Sequence, residues 1–233
     1  MWEAEISDSD EPSITLSLES PDGEEGFPGN LKAKITYTLT KENSLKIEYS
    51  ATSDKDTIYN PTNHSYFNLD GHNSGVIYNQ SVMLNADFYT PNTDECVPSG
   101  EIHKVKDTPF DLTEKTMFGN VLNSEFEQVR IFGGFDHNFV LRGEGFRKIG
   151  EAMSSDKTIT MEVYTDLPGV QLYTANVLNE GTYKNGEKYG KHNAFCLETQ
   201  FFPNSPNFSH FATPLLKNDE IMYTATEYKF ITK

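Results

Sequence analysis

The stretch Asn60-Pro61-Thr62-Asn63-His64-Ser65-Tyr66-Phe67-Asn68-Leu69-Asp70-Gly71 gathers three asparagines, a threonine, a serine, a tyrosine and one histidine into twelve residues. Pro61 biases Asn60 toward an extended backbone, and Asp70-Gly71 closes the segment as a turn. A dense supply of donors and acceptors thus surrounds the one side-chain type that exchanges a proton near neutral pH. His64 is a candidate acid or base, although a hydrogen-bonded loop histidine has the same appearance. Glu198 is the second candidate. It ends the apolar run Ala194-Phe195-Cys196-Leu197 and is followed by Thr199, Gln200, Phe201 and Phe202. A carboxylate at a strand end among aromatic residues has its pKa raised and makes a usable base, whereas an exposed strand face is the plainer alternative. Asp136 sits comparably, between Phe135 and His137-Asn138. Asp136, Asn63, Tyr66 and Gln200 together have the chemistry that holds a sugar: aromatic faces stack on C–H faces, and amides and carboxylates bond hydroxyls.

Other chemistries find less support. Gly143-Glu144-Gly145 is an isolated pair of glycines with an acid between them and no helix to follow, which is a turn rather than a phosphate cradle. The six histidines show neither HxH nor HExxH spacing, and no acidic run has calcium-loop spacing, so no metal site is expected. No serine or cysteine stands on a nucleophile elbow, and Cys196, inside an apolar run, has the pattern of an inert core residue.

The elements that must position these residues are strands. Residues 14–18 alternate apolar and polar. Leu31, Ala33, Ile35, Tyr37 and Leu39 form one face of a clean strand, and Leu45, Ile47, Tyr49 and Ala51 resume the alternation after a short turn, which predicts a hairpin. Further strands are expected over 135–141, 159–164, 170–176, 194–197 and 221–230, the last with a bulge near Thr226-Glu227 where its apolar phase shifts. Residues 91–135 are the least regular, with no more than a helical turn or two over 116–126. Eight or more strands, turn signals between them and almost no helix predict an all-β fold, a large antiparallel β-sandwich. No repeat, low-complexity tract or linker divides the chain, so residues 1–233 are expected to form a single domain.

The whole-chain totals agree. A chain of 233 residues with 16 Phe and 12 Tyr can bury a sizeable core, and 35 acids against 19 bases give a formal charge of −16. Such a surface repels phosphate backbones and anionic headgroups, so neither nucleic acid nor membrane is an expected partner. Cys96 and Cys196 lie far apart with no CxxC spacing, and the acidic opening lacks an apolar signal core; a cytoplasmic, reducing setting is expected.

Five segments, in order, resemble the signature segments of the aldose 1-epimerase (galactose mutarotase) family: residues 20–31, 60–69, 135–141, 166–176 and Phe195-Cys196-Leu197-Glu198-Thr199-Gln200. The resemblance implies a large antiparallel β-sandwich that binds its sugar in an open cleft on one sheet. It also implies an isomerase that interconverts the α and β anomers of hexoses such as galactose or glucose. His64 takes the part of the general acid at the ring oxygen, Glu198 that of the general base at the anomeric hydroxyl, and Asp136 that of a hydroxyl binder. No cofactor and no metal are implied. In the family an opening portion carrying an Arg and a second His precedes the point matched by Trp2, and Pro203 is commonly followed by an acid where this chain has Asn204. Two alternatives follow: a carbohydrate-binding domain with impaired catalysis, and an epimerase of hexose phosphates, for which the sequence offers no basic pocket.

Overall fold

The computed structural model describes residues 1–178 and 181–233. Two antiparallel sheets dominate. The larger has nine strands, in the order Glu3–Ser7, Ser13–Ser20, Leu31–Leu39, Ser44–Ser53, Met222–Thr232, Ile159–Thr165, Arg147–Met153, Ser81–Leu84 and Thr116–Met117. The smaller has five, in the order Cys196–Gln200, Gly169–Tyr173, Asp136–Leu141, Ala86–Tyr89 and His103–Lys104. The hairpin expected from residues 31–51 forms as Leu31–Leu39 paired with Ser44–Ser53. Among the described residues the α-helices are two short ones, Phe118–Leu122 and Glu127–Phe132, inside the irregular stretch between strands. No helix among the described residues is long and apolar enough to cross a membrane.

Period-two alternation sorts each strand of the small sheet into two chemistries. Val170, Leu172, Phe139, Leu141 and Leu197 point inward and pack in one apolar cluster with Ile47, Tyr49, Met161, Val163 and Tyr228 of the large sheet. The layers are also tied by polar bonds: the Tyr228 hydroxyl donates to the Leu197 carbonyl at 2.7 Å, and the Thr199 and Thr226 hydroxyls bond each other. The opposite face of the small sheet carries Asp136, Asn138, Gly169, Gln171, Tyr173, Cys196, Glu198 and Gln200, matched across the strands in register. That face is the floor of the candidate site.

The expected bulge at Thr226-Glu227 does not form. Met222–Thr232 pairs without interruption with both of its neighbours. Its apolar phase shifts because two threonines, Thr224 and Thr226, occupy the core-facing positions that precede Tyr228, and Thr226 meets its hydroxyl partner across the layer. The irregularities lie elsewhere, between Lys148 and Gly150 and between Val140 and Leu141. At Gly150 a side chain would run into the Met83 carbonyl, so glycine is what lets those strands close up.

Candidate active site

Strand Cys196–Gln200 is the edge of the small sheet, and the 60–68 segment runs along its open side. The Asn60 side chain acts as a substitute strand: its Nδ2 donates to the Phe201 carbonyl at 3.0 Å and its Oδ1 accepts the Phe201 amide at 2.9 Å. Thr62 Oγ1 donates to the Thr199 carbonyl at 2.9 Å. Phe67 and Phe195 exchange backbone bonds of 2.8 and 2.9 Å. Pinned at both ends, the segment lays His64 over the positions occupied by Cys196 and Glu198.

His64 Nε2 lies 3.3 Å from Glu198 Oε1, with half of the imidazole exposed and only 11% of the Glu198 side chain. Burial pushes the Glu198 carboxyl up to about 7, against the pull of His64, and Asp136 adds to the rise. Asp136 is also raised by burial, with the Gln171 amide, which donates to Asp136 Oδ1 at 2.8 Å, working against it. The rings of Tyr66 and Tyr173 stand 5.0 and 5.9 Å from that of His64. Just before strand Asp136–Leu141, Gly134 leaves room for Asn176 and Thr174, which a side chain there would strike and whose side chains bond the Phe135 backbone.

The structure therefore brings His64, Glu198, Asp136 and Tyr66 together. Gln200 lies buried two residues along the same strand face as Glu198. Asn63 Oδ1 accepts the Ser65 amide at 3.1 Å, a bond that shapes the loop beneath His64. His137, next to Asp136 in sequence, points the other way; burial drives its pKa down to about 3, and Gln128 bonds its Nε2. Two residues escaped the sequence reading. Gln171 faces Glu198 across the paired strands and grips Asp136; its only sequence signal is a lone polar residue in the run 170–173, on the same side as Tyr173. Cys196 is buried but on the site face, with Sγ 3.5 Å from His64 Nδ1. The donor atoms of His64, Cys196 and Glu198 all lie within 4.8 Å of one another, which makes them the group among the described residues that could hold a metal ion. Beyond Tyr66 opens an apolar groove of about 820 Å³.

An antiparallel two-sheet sandwich with a histidine–glutamate pair on the outer face of its smaller sheet is a galactose mutarotase-like fold. Solved structures bear this out. The galactose 1-epimerase of Lactobacillus acidophilus superposes with a TM-score of 0.87 at 29% identity, covering 99% of this chain and 66% of that one. A GalM/aldose epimerase homologue from C. elegans gives 0.88 at 27% identity, covering 99% and 68%. The family model for aldose 1-epimerase matches residues 1–229, and the chain belongs to that family. Bos taurus galactose mutarotase is 42% identical over 220 residues, 93% of this chain and 62% of the relative. Escherichia coli aldose 1-epimerase is 34% identical over 233 residues, 98% of this chain and 67% of the relative. The chain thus spans 62% of the length of its mammalian relative.

Proposed function

We propose that this chain catalyses the interconversion of the α and β anomers of an aldose. The observation that carries the reading is the 3.3 Å approach of His64 Nε2 to Glu198 Oε1. The anomeric hydroxyl and the ring oxygen of a hexose share one carbon, so the groups that take a proton from the first and give one to the second must be close neighbours. Glu198 as carboxylate removes the anomeric hydroxyl proton, the C1–O5 bond breaks, and His64 protonates O5. The open-chain aldehyde turns about C1–C2. Attack of the O5 hydroxyl on the other face, with its proton returning to His64 and the Glu198 proton passing to the new O1, gives the other anomer and restores both groups.

Asp136, Gln171 and Tyr66 bind the sugar in this reading. The amide oxygens Gln171 Oε1 and Asn138 Oδ1 are buried without a hydrogen-bond partner among the described residues. Buried acceptors of that kind call for donors, and sugar hydroxyls supply them. Two carboxyl groups around His64 support a neutral sugar over a phosphorylated one. The cysteines are unpaired, Cys96 exposed and Cys196 buried, which supports a reducing compartment such as the cytoplasm.

The test is polarimetry of freshly dissolved α-D-galactose or α-D-glucose with the protein and with Glu198→Gln and His64→Asn. The expected outcome is an acceleration that each substitution lowers by roughly 10²–10⁴-fold, the usual worth of a placed acid or base. Folded protein that leaves the optical rotation to relax at its spontaneous rate overturns the reading.

A further inference from the structure

The imidazole of His64 is engaged at both nitrogens. Nε2 faces Glu198 Oε1 at 3.3 Å, and Nδ1 faces Cys196 Sγ at 3.5 Å. Cys196 and Glu198 are two residues apart on one strand, so a single strand face supplies both partners. The two partners meet different nitrogens of the ring. The arrangement is therefore a hydrogen-bonded chain, Cys196 to His64 to Glu198.

The chemistry of a thiol at that place differs from that of a carboxylate or a methyl group. Cys196 is fully buried, and burial with the neighbouring carboxyls of Glu198 and Asp136 raises the thiol far above its ordinary range, which keeps it as S–H. S–H is a weak donor and sulfur a weak acceptor. The thiol donates to Nδ1 when that nitrogen is bare and accepts from it when it carries a proton. A carboxylate could only accept, and would hold the ring doubly protonated; a methyl group could do neither.

We propose that Cys196 is a positioning residue for His64, its sulfur accepting from Nδ1–H both before and after the proton transfer, so that the ring keeps its orientation and the proton is exchanged at Nε2 alone. The inference rests on the epimerase reading, in which Nε2 delivers a proton to the sugar ring oxygen and takes it back.

The experiment compares wild type, Cys196→Ser and Cys196→Ala by steady-state polarimetry, thermal melting and ¹⁵N NMR of histidine-labelled protein, with the His64 signals assigned through His64→Asn. A hydroxyl is also donor and acceptor, so the Ser variant is expected to keep the wild-type His64 nitrogen shifts and most of kcat. The Ala variant is expected to lose about tenfold in kcat at nearly unchanged KM, short of the 10²-fold that a misplaced group can cost, with the Nδ1 and Nε2 shifts moving toward an average of the two tautomers. An Ala variant with wild-type kcat and unmoved nitrogen shifts overturns the proposal, as does a Ser variant equally impaired at equal Tm. If the wild type itself fails to accelerate mutarotation, the epimerase reading fails, and the nitrogen shifts alone decide: Nδ1 moving in the Ala variant but not in the Ser variant supports the contact, and no movement removes it.

Discussion

His64 Nε2 and Glu198 Oε1 face each other at 3.3 Å from opposite environments, the imidazole half in solvent and the carboxyl almost sealed beneath it. In the proposed reaction the base is the member that burial has to adjust, because an ordinary carboxylate is too weak a base to take a hydroxyl proton efficiently. The proposed acid, which gives its proton to O5 and takes it back, sits on the loop side. The edge strand holds the first group and the pinned segment across it holds the second, so the sandwich sets the pair's spacing rather than either element alone.

Activity should depend on pH through the base. In the proposed reaction Glu198 works as carboxylate, and burial lifts its pKa to about 7. kcat/KM is therefore expected to rise as pH climbs from 5 through about 7, instead of levelling off near the usual glutamate value. A pH–rate series by polarimetry, corrected for the spontaneous reaction, measures this limb; a profile already flat at pH 5 would contradict the raised carboxyl.

The same carboxyl should make the folded protein less stable as pH rises. A group whose pKa is higher folded than unfolded binds its proton more tightly in the folded state, so its stabilising contribution is complete below the unfolded value of 4.5 and is lost as pH passes up through about 7. Glu198→Gln removes the penalty while keeping a partner for His64. The variant is expected to melt about 2–4 °C above wild type at pH 8, the shift for about 1 kcal/mol in a chain of this size, and close to it at pH 5. Paired thermal melts at the two pH values check this. A loss of Tm at pH 8 would show that the ionised carboxylate stabilises the fold.

What could be read from the sequence and what could not divide along a physical line. His64 and Glu198 are legible because each is an ionisable residue amid residues that cannot ionise near neutral pH, and strand Leu31–Leu39 because its alternation is local. The partnership of Gln171 with Asp136 is not legible, since it depends on the pairing of Gly169–Tyr173 with Asp136–Leu141. Cys196 reads as core, and it is buried, yet strand parity puts it on the face of Glu198 rather than that of Leu197. The expected bulge at Thr226 failed for a similar reason: a hydroxyl facing the core breaks the hydrophobic pattern but meets Thr199 from another sheet.

Gln171 should affect sugar binding more than turnover. It fixes Asp136 through a 2.8 Å bond and turns a partnerless carbonyl oxygen into the buried site. Gln171→Ala removes both, and losses of about 1–3 kcal/mol per buried hydrogen-bonding group translate into a KM raised by roughly 5–150-fold. The kcat is expected to fall less, because His64 and Glu198 keep their places. Saturation curves for galactose and glucose separate the two constants. An unchanged KM with a lost kcat would make Gln171 a support of Glu198 instead.

Asn60 should control catalysis from a distance. It touches neither His64 nor Glu198, yet its amide closes a two-bond ring with the Phe201 backbone and fixes where the 60–68 segment leaves the edge strand. Asn60→Ala cancels both bonds and leaves the Phe201 amide without its partner, a cost of about 1–3 kcal/mol. The distal pins, Thr62 to Thr199 and Phe67 to Phe195, remain, so the protein should stay folded while the His64 end of the pair loosens. The expected signature is a drop in kcat with KM within a few-fold, because misplacing a catalytic group weakens the transition state more than sugar binding. Asn60→Asp discriminates further: it keeps the acceptor for the Phe201 amide but sets a carboxylate against the Phe201 carbonyl, and it should fall between wild type and Ala in both Tm and kcat. Equal kcat in all three proteins would mean that the two remaining pins suffice to hold His64 over Glu198.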